Sequence, residues 1–270
     1  MSNLTITLEG LLSDENIDLS NKDLDKILNQ MLDEIGNPNP YLRDYCIYPT
    51  FIKLIRDNAL TPEQETHLLE RCLDNQHLFL EIEKEGCSDQ VFTRSFSALV
   101  IADILYKDGK KCNIEALLIE KAIKASIQYL SQEKDRRGYV AEKGWAHSVA
   151  HGSDLLTNAI FHPLFNRQHM NDCLQAVKAC LLVETAYIDE EDERILNIIG
   201  ALIQKGLDDK ELLFWLESLP GAYSGEEHAK YRIHWNVKKF ANTLFIYLQR
   251  NEHFPQSKQW ILRLYERTFI

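Results

Sequence analysis

Leu24-Asp25-Lys26-Ile27-Leu28-Asn29-Gln30-Met31-Leu32-Asp33-Glu34-Ile35-Gly36 decides the fold class of this chain. Leu24, Ile27, Leu28, Met31, Leu32 and Ile35 recur at i, i+3 and i+4, the spacing of one face of an α-helix, and Gly36 with Pro38 ends the run. The same spacing returns at Val237, Phe240, Ala241, Leu244, Phe245 and Leu248, with Pro255 beyond it. Thr61-Pro62-Glu63-Gln64 reads as a capped helix start, with an N-cap hydroxyl and a proline in the first turn. Helices are expected at 62–73, 114–130 and 170–184 as well. Alternating strand-type stretches between turn dipeptides are essentially missing. The expected class is all-α.

Several helices open with a cationic or polar residue and run into small and apolar residues. Leu42-Arg43-Asp44, Thr93-Arg94-Ser95-Phe96, Ala146-His147-Ser148, Glu193-Arg194-Ile195 and Lys238-Lys239-Phe240 are such starts, spaced by roughly 45–53 residues, the period of HEAT or armadillo helix pairs. Antiparallel helix pairs stacked as an α-solenoid are therefore expected, with the second helix of each pair lining a concave face. A compact bundle is the competing arrangement. No Gly/Pro/Ser-rich linker interrupts the chain, so residues 21–270 are expected as one helical-repeat domain behind an acidic N-terminal extension, 1–20.

The chain has 270 residues, 30 Lys and Arg against 41 Asp and Glu, and a formal charge of −11. That balance disfavours nucleic acid as a partner, since nonspecific binding needs a basic field to displace counterions. The first residues carry neither a basic n-region nor an apolar core of a signal peptide, and no apolar run is long enough to span a bilayer. Six cysteines (Cys46, Cys72, Cys87, Cys112, Cys173, Cys180) form no C-x-x-C pair, the usage of a reducing cytoplasm.

The segment with chemistry is 133–154. Its charged first half, with Gly138 and Gly144, reads as a loop; its second half reads as a helix carrying His147, His151 and Asp154 at i, i+4 and i+7. On a continuous helix these fall on one narrow face. Two imidazoles one turn apart suit a single divalent metal (zinc, manganese or iron), with the carboxylate as third ligand or as orienter of a histidine. Without a metal, the same trio can act as acid and base, with Glu133 and Asp135 as further candidates. Gly152 and Ser153 are poor interior helix residues, which points to a close approach there. Arg94, Ser95, Arg137, Lys143 and Arg194 are candidates for holding a phosphate or carboxylate, because a guanidinium fork binds either group bidentately, and Trp145 is a candidate pocket wall. The competing role for these residues is a buried polar network that ties helices together. The zincin motif H-E-x-x-H and the G-x-S-x-G elbow are both absent.

Leu42-Arg43-Asp44, Arg94-Ser95-Phe96-Ser97, Glu133-x-Asp135-x-Arg137-Gly138-Tyr139, Lys143-Gly-Trp-Ala-His147-x-x-Ala-His151-x-x-Asp154 and Glu191-Asp-Glu-Arg194 stand here in order. The series resembles an uncharacterised bacterial family, domain of unknown function 2785, over roughly residues 25 to 205. The resemblance implies a helical, cytosolic bacterial protein and carries no activity. Two functions follow from the residues. One is a hydrolase acting on a small anionic substrate in a His/Asp/Arg pocket. The other is a non-catalytic HEAT-like scaffold that binds a protein, peptide or anionic ligand.

Overall fold

The apolar stripe that opens at Leu24 forms a helix in the computed structural model, which describes residues 3–13, 23–219, 226–250 and 253–266. This helix, α2 (Leu24–Asp33), is capped by Asp23, whose side chain accepts the Lys26 N–H, and it buries Ile27, Leu28, Met31 and Leu32. Before it, α1 (Asn3–Ser13) buries Leu8 and Leu11. The rest of the expected extension, residues 1–2 and 14–20, lies outside the described residues. Helix α4 (Pro62–Cys72) starts with a full capping box between Thr61 and Gln64. The described residues hold twelve α-helices and one two-stranded hairpin, so the chain is all-α in class. Among them no helix is long and apolar enough to cross a membrane.

The chain divides into two units, Met1–Phe165 and Asn166–Ile270. The first is organised around α5 (Gln90–Lys111), which is buried on almost every side from Val91 to Asp108. A helix buried all round cannot be only apolar if it is to fix its neighbours, and α5 carries six buried polar side chains, each with a partner. Arg94 pairs with Glu133 at the end of α6 (Ala116–Gln132). Ser95 and Ser97 return their hydroxyls to carbonyls of their own helix. Asp103 accepts from Tyr48 and Arg56 of α3 (Tyr48–Arg56), and Lys107 pairs with Glu65 of α4. Asp108 accepts the backbone N–H groups of Asn113 and Ile114 at 2.8 and 2.9 Å, and faces His162 Nε2 at 3.1 Å. Since His162 Nδ1 accepts the Leu164 N–H, its proton sits on Nε2 and is donated to Asp108.

Helix α7 (Ser148–Phe161) lies alongside α5 in the same direction. Its His151 meets Phe96 near the start of α5, and His162 just beyond its end meets Gly109 and Asp108 near the end of α5. The rings of Tyr48 and His151 flank Phe96, at 5.9 and 5.2 Å between centroids, so α5 runs between α3 and α7. Helix α4 packs against α5, and α6 packs against both α5 and α7. The close approach expected at Gly152 is present: a Cβ there would stand 2.8 Å from Tyr129 Cε1 and 3.0 Å from Leu130 Cδ1 of α6.

The second unit holds α8 (Met170–Leu181), α9 (Glu191–Gln204), α10 (Asp209–Glu217), α11 (Glu227–Gln249) and α12 (Pro255–Glu266). Its core joins Trp215, whose indole N–H donates to the Leu174 carbonyl, to Phe240 in an edge contact. Four of the six cysteines (Cys46, Cys72, Cys173, Cys180) are buried, and Cys87 and Cys112 are exposed; all six are free thiols. Burial pushes the Cys173 thiol up to about 12, which keeps it inert.

Candidate functional site

The stretch 133–147 is not an open loop. It folds into a hairpin of β1 (Tyr139–Val140) and β2 (Gly144–Trp145), with Tyr139 opposite Trp145 and Val140 opposite Gly144. Three residues join the strands; the Lys143 N–H closes the turn on the Val140 carbonyl at 3.0 Å, and Glu142 within it has φ 65°. Below it Val140 covers a small apolar cluster of Val91, Phe92 and Ala146.

The hairpin is fastened at four points by charge. Glu133, only 1 % exposed, receives Arg94 through two parallel bonds, Nε to Oε2 at 2.7 Å and Nη2 to Oε1 at 2.8 Å. Arg94 Nη1 donates to the Leu80 carbonyl at 2.9 Å. Burial lowers the affinity of Arg94 for its proton, and the hydrogen bond and charge of Glu133 more than compensate, so its pKa stays above the usual value. Two residues on, the buried Asp135 binds Arg137 through Nε and Nη2, and Arg137 Nη2 also reaches the Ser88 carbonyl at 2.7 Å. The Asp135 carbonyl accepts the Ser148 hydroxyl at the start of α7. Lys143 Nζ binds both oxygens of Asp89, at 2.8 and 2.7 Å, just ahead of α5.

The fourth fastening is Arg43, which the sequence offers among its recurring motifs but not in the candidate site. A π-helical turn at Tyr41–Ile47 leads into α3 and carries it. Arg43 is fully buried, donates to the carbonyls of Asn37 (2.7 Å) and Lys143 (2.6 Å), and lies over the rings of Phe92 and Phe96 at 4.1 and 4.9 Å. Its Nε stands 2.8 Å from Asp44 Oδ1. Burial depresses the Arg43 pKa and raises that of Asp44, and the attraction between them, with a backbone bond from Trp145 to Asp44, works against both shifts. Its signal in the sequence is the neighbouring Asp44 and the later glycine: Gly144, at φ 78°, lets the hairpin backbone pass close to Pro40, Asp44 and Arg43.

What the clamp holds is a line of rings. The Trp145 indole stacks on the His147 imidazole at 4.3 Å and 23°, His147 meets His151 at 5.8 Å, and His151 meets Phe96 edge-on. Tyr139 stands edge-on to Trp145 at 5.0 Å. The line runs from the buried Phe96 and His151 outward to Trp145, 41 % exposed, and Tyr139, 58 % exposed.

The structure corrects the helix register of this segment. His147 is not inside α7 but is its N-cap, in the left-handed region at φ 44°, ψ 37°. The His151 N–H still reaches the His147 carbonyl at 2.8 Å, so the imidazoles remain neighbours although the face is not one continuous helical stripe. Asp154, further along α7, is half-buried, and its charge helps burial and Asp103 to hold the Tyr48 hydroxyl well above the usual range. Among the described residues no group of three or more His, Cys, Asp or Glu is arranged to hold a metal. The structure therefore brings together Glu133 with Arg94, Asp135 with Arg137, and Trp145 with His147 and His151. Ser95 is buried against its own helix, and Arg194 is exposed on α9 of the second unit.

No curated protein and no solved structure matches the chain. One family model does, described as a protein of unknown function (DUF2785), over residues 78–246. The match covers more than half of the chain and takes in the whole of the hairpin, its buried carboxylates and the ring line, while the Arg43 turn precedes it. The chain belongs to the DUF2785 family.

Proposed function

We propose that this protein is a non-catalytic binding module of helical-repeat type, whose ligand carries an uncharged ring that docks on Trp145, Tyr139 and His147. One observation carries the reading. Arg43, Arg94, Arg137 and Lys143 are each engaged by carboxylates or carbonyls of the chain itself, while the rings of Tyr139 and Trp145 stand exposed at the same place. Drawing Arg94 off Glu133 to hold a substrate anion would leave a buried carboxylate unpaired, at a cost of about 3–5 kcal/mol. A ring stacked on an exposed indole gains about 0.5–1.5 kcal/mol beyond the area it buries. Side-by-side packing of α3, α5 and α7, backed by α4 and α6, supports a HEAT-like arrangement, in which the inner helices present the binding face.

Titration of the intrinsic tryptophan emission with nucleosides, aryl glycosides and short aromatic peptides tests this, beside inorganic phosphate and dicarboxylates. A ring-bearing probe is expected to shift the emission of the native protein and to leave Trp145→Leu unchanged, with Arg137→Gln responding like the native chain. Binding of the anions alone, lost in Arg137→Gln, would contradict it.

A second reading, hydrolysis of a small anionic substrate, is favoured by the neighbouring imidazoles of His147 and His151, with Asp154 further along the same helix. The pair supplies two of the three protein ligands of a catalytic zinc, and bound metal would supply an activated water. Elemental analysis of chelator-free protein beside His151→Ala separates the readings. About one equivalent of zinc, manganese or iron, lost in a folded variant, supports the hydrolase. Metal-free native protein that turns over no phosphoester or amide supports the binding module.

A further inference from the structure

In a chain of formal charge −11, residues 228–250 contain Lys230, Arg232, Lys238, Lys239 and Arg250 and no Asp or Glu. They make up nearly all of α11, whose apolar face (Ala229, Ile233, Val237, Phe240, Ala241, Leu244, Leu248) is buried in the second unit. Three of the cations are engaged within the unit: Lys239 pairs with Asp192 at 3.0 Å, Lys238 lies over the Tyr265 ring at 4.8 Å, and Arg232 Nη1 reaches the Glu184 carbonyl at 3.5 Å. The side chains of the first turns face outward. His228, Lys230, Arg232 and His234 are exposed, and between them stand Tyr231, 67 % exposed, and Trp235, 50 % exposed. Tyr231 and Trp235 are one turn apart, so their rings share a face, opposite the one that α11 buries.

Tyr, Trp and Arg are the residues that dominate the energetics of protein interfaces, while a solitary exposed aromatic needs no explanation. Here two aromatics share one face, flanked by Lys230 and Arg232, with the exposed Glu226 and Glu227 ahead of them at the helix start. At physiological ionic strength charges are screened beyond about 8 Å, so a partner approaching this helix meets the local positive field and not the net charge of the chain. Two rings bury too little apolar area to seat the helix in a bilayer, because its large apolar face is already used in the core. We infer that the N-terminal half of α11 is a docking surface for an acidic protein segment that carries an apolar or aromatic side chain. The surface lies wholly in the second unit, and the inference is independent of the ring site of the first.

The test uses the full chain and two end-labelled synthetic peptides, one of repeated Glu-Glu-Leu and one of repeated Lys-Lys-Leu, followed by fluorescence anisotropy. The acidic peptide is expected to bind and the basic one not. Affinity for the acidic peptide should fall by about tenfold or more in Tyr231→Ala/Trp235→Ala. It should fall comparably in Lys230→Glu/Arg232→Glu, and weaken steeply between about 50 and 300 mM salt. All replaced side chains are exposed, and circular dichroism checks that the fold is kept. Equal binding of the two peptides, or native affinity in both double variants, would overturn the inference. So would binding to phosphatidylserine vesicles that is lost in those variants while the acidic peptide stays unbound; that result would assign the face to a membrane surface.

Discussion

Arg43→Met is expected to cost the protein about 3–5 kcal/mol of stability, the loss typical of removing one partner from a buried charge network. Methionine keeps much of the apolar packing between Phe92 and Phe96, so the loss isolates the charge and its hydrogen bonds. Three groups are affected at once: the carbonyls of Asn37 and Lys143 lose the guanidinium, and the carboxylate of Asp44 keeps only its bond from the Trp145 backbone. Each buried acceptor left unmet costs about 1–3 kcal/mol, and Asp44 can relieve part of its share by taking up a proton, since burial already raises its pKa. Urea unfolding monitored by circular dichroism reads the loss. A midpoint within error of the native one would mean that the guanidinium is not a structural tie.

Gly144→Val is the second large effect, and it acts on the site as well as on stability. A β-branched residue at φ 78° is strained by about 1–3 kcal/mol. Its Cβ would stand 2.8 Å from Pro40 Cβ, 3.0 Å from Asp44 Oδ2 and 3.1 Å from Arg43 Nη2, an overpacking worth about 1–3 kcal/mol more. The clash lies between the hairpin and the π-helical turn, so the hairpin has to lift. Trp145, the next residue, is expected to leave the His147 ring with it. Near-ultraviolet circular dichroism and tryptophan emission would change in Gly144→Val even under conditions where the helices stay formed. A variant with native tryptophan signals and native stability would show that the close approach is not needed.

The sequence made some of this legible and hid the rest for physical reasons. Helices α2 and α4 were readable because each has one buried stripe and a capped start, so local pattern and tertiary role agree. Helix α5 is buried on nearly all sides, and the residues that mark it, Arg94, Asp103, Lys107 and Asp108, look like surface charges until their partners 39 to 55 positions away are known. The hairpin escaped because strands of two residues cannot show an alternation. Its one local signal was Gly138 and Gly144 among charged residues, which reads equally as a loop. Periodicity extends the helix past its true start to take in His147, and only the left-handed backbone at that residue ends it. Of the candidates, Arg94 meets Glu133, Arg137 meets Asp135 and Trp145 stacks on His147, while Ser95 bonds within its own helix and Arg194 lies in the second unit. The charged ones that meet do so with groups of the chain itself, the arrangement of a polar network.

The most direct test of that conclusion is a double-mutant cycle on Arg94 and Glu133, read by urea unfolding of Arg94→Met, Glu133→Met and the double variant. Each single change strands a buried charge and is expected to lose about 3–5 kcal/mol. The double variant removes both charges and is expected to lose much less than the sum, with a coupling of about 2–3 kcal/mol, because two apolar side chains of similar length can fill the same space. If Arg94→Met instead unfolds at the native midpoint, and the two changes simply add, the guanidinium is not spent on Glu133. Arg94 would then be available to hold an anion, and the hydrolase reading would displace the binding module.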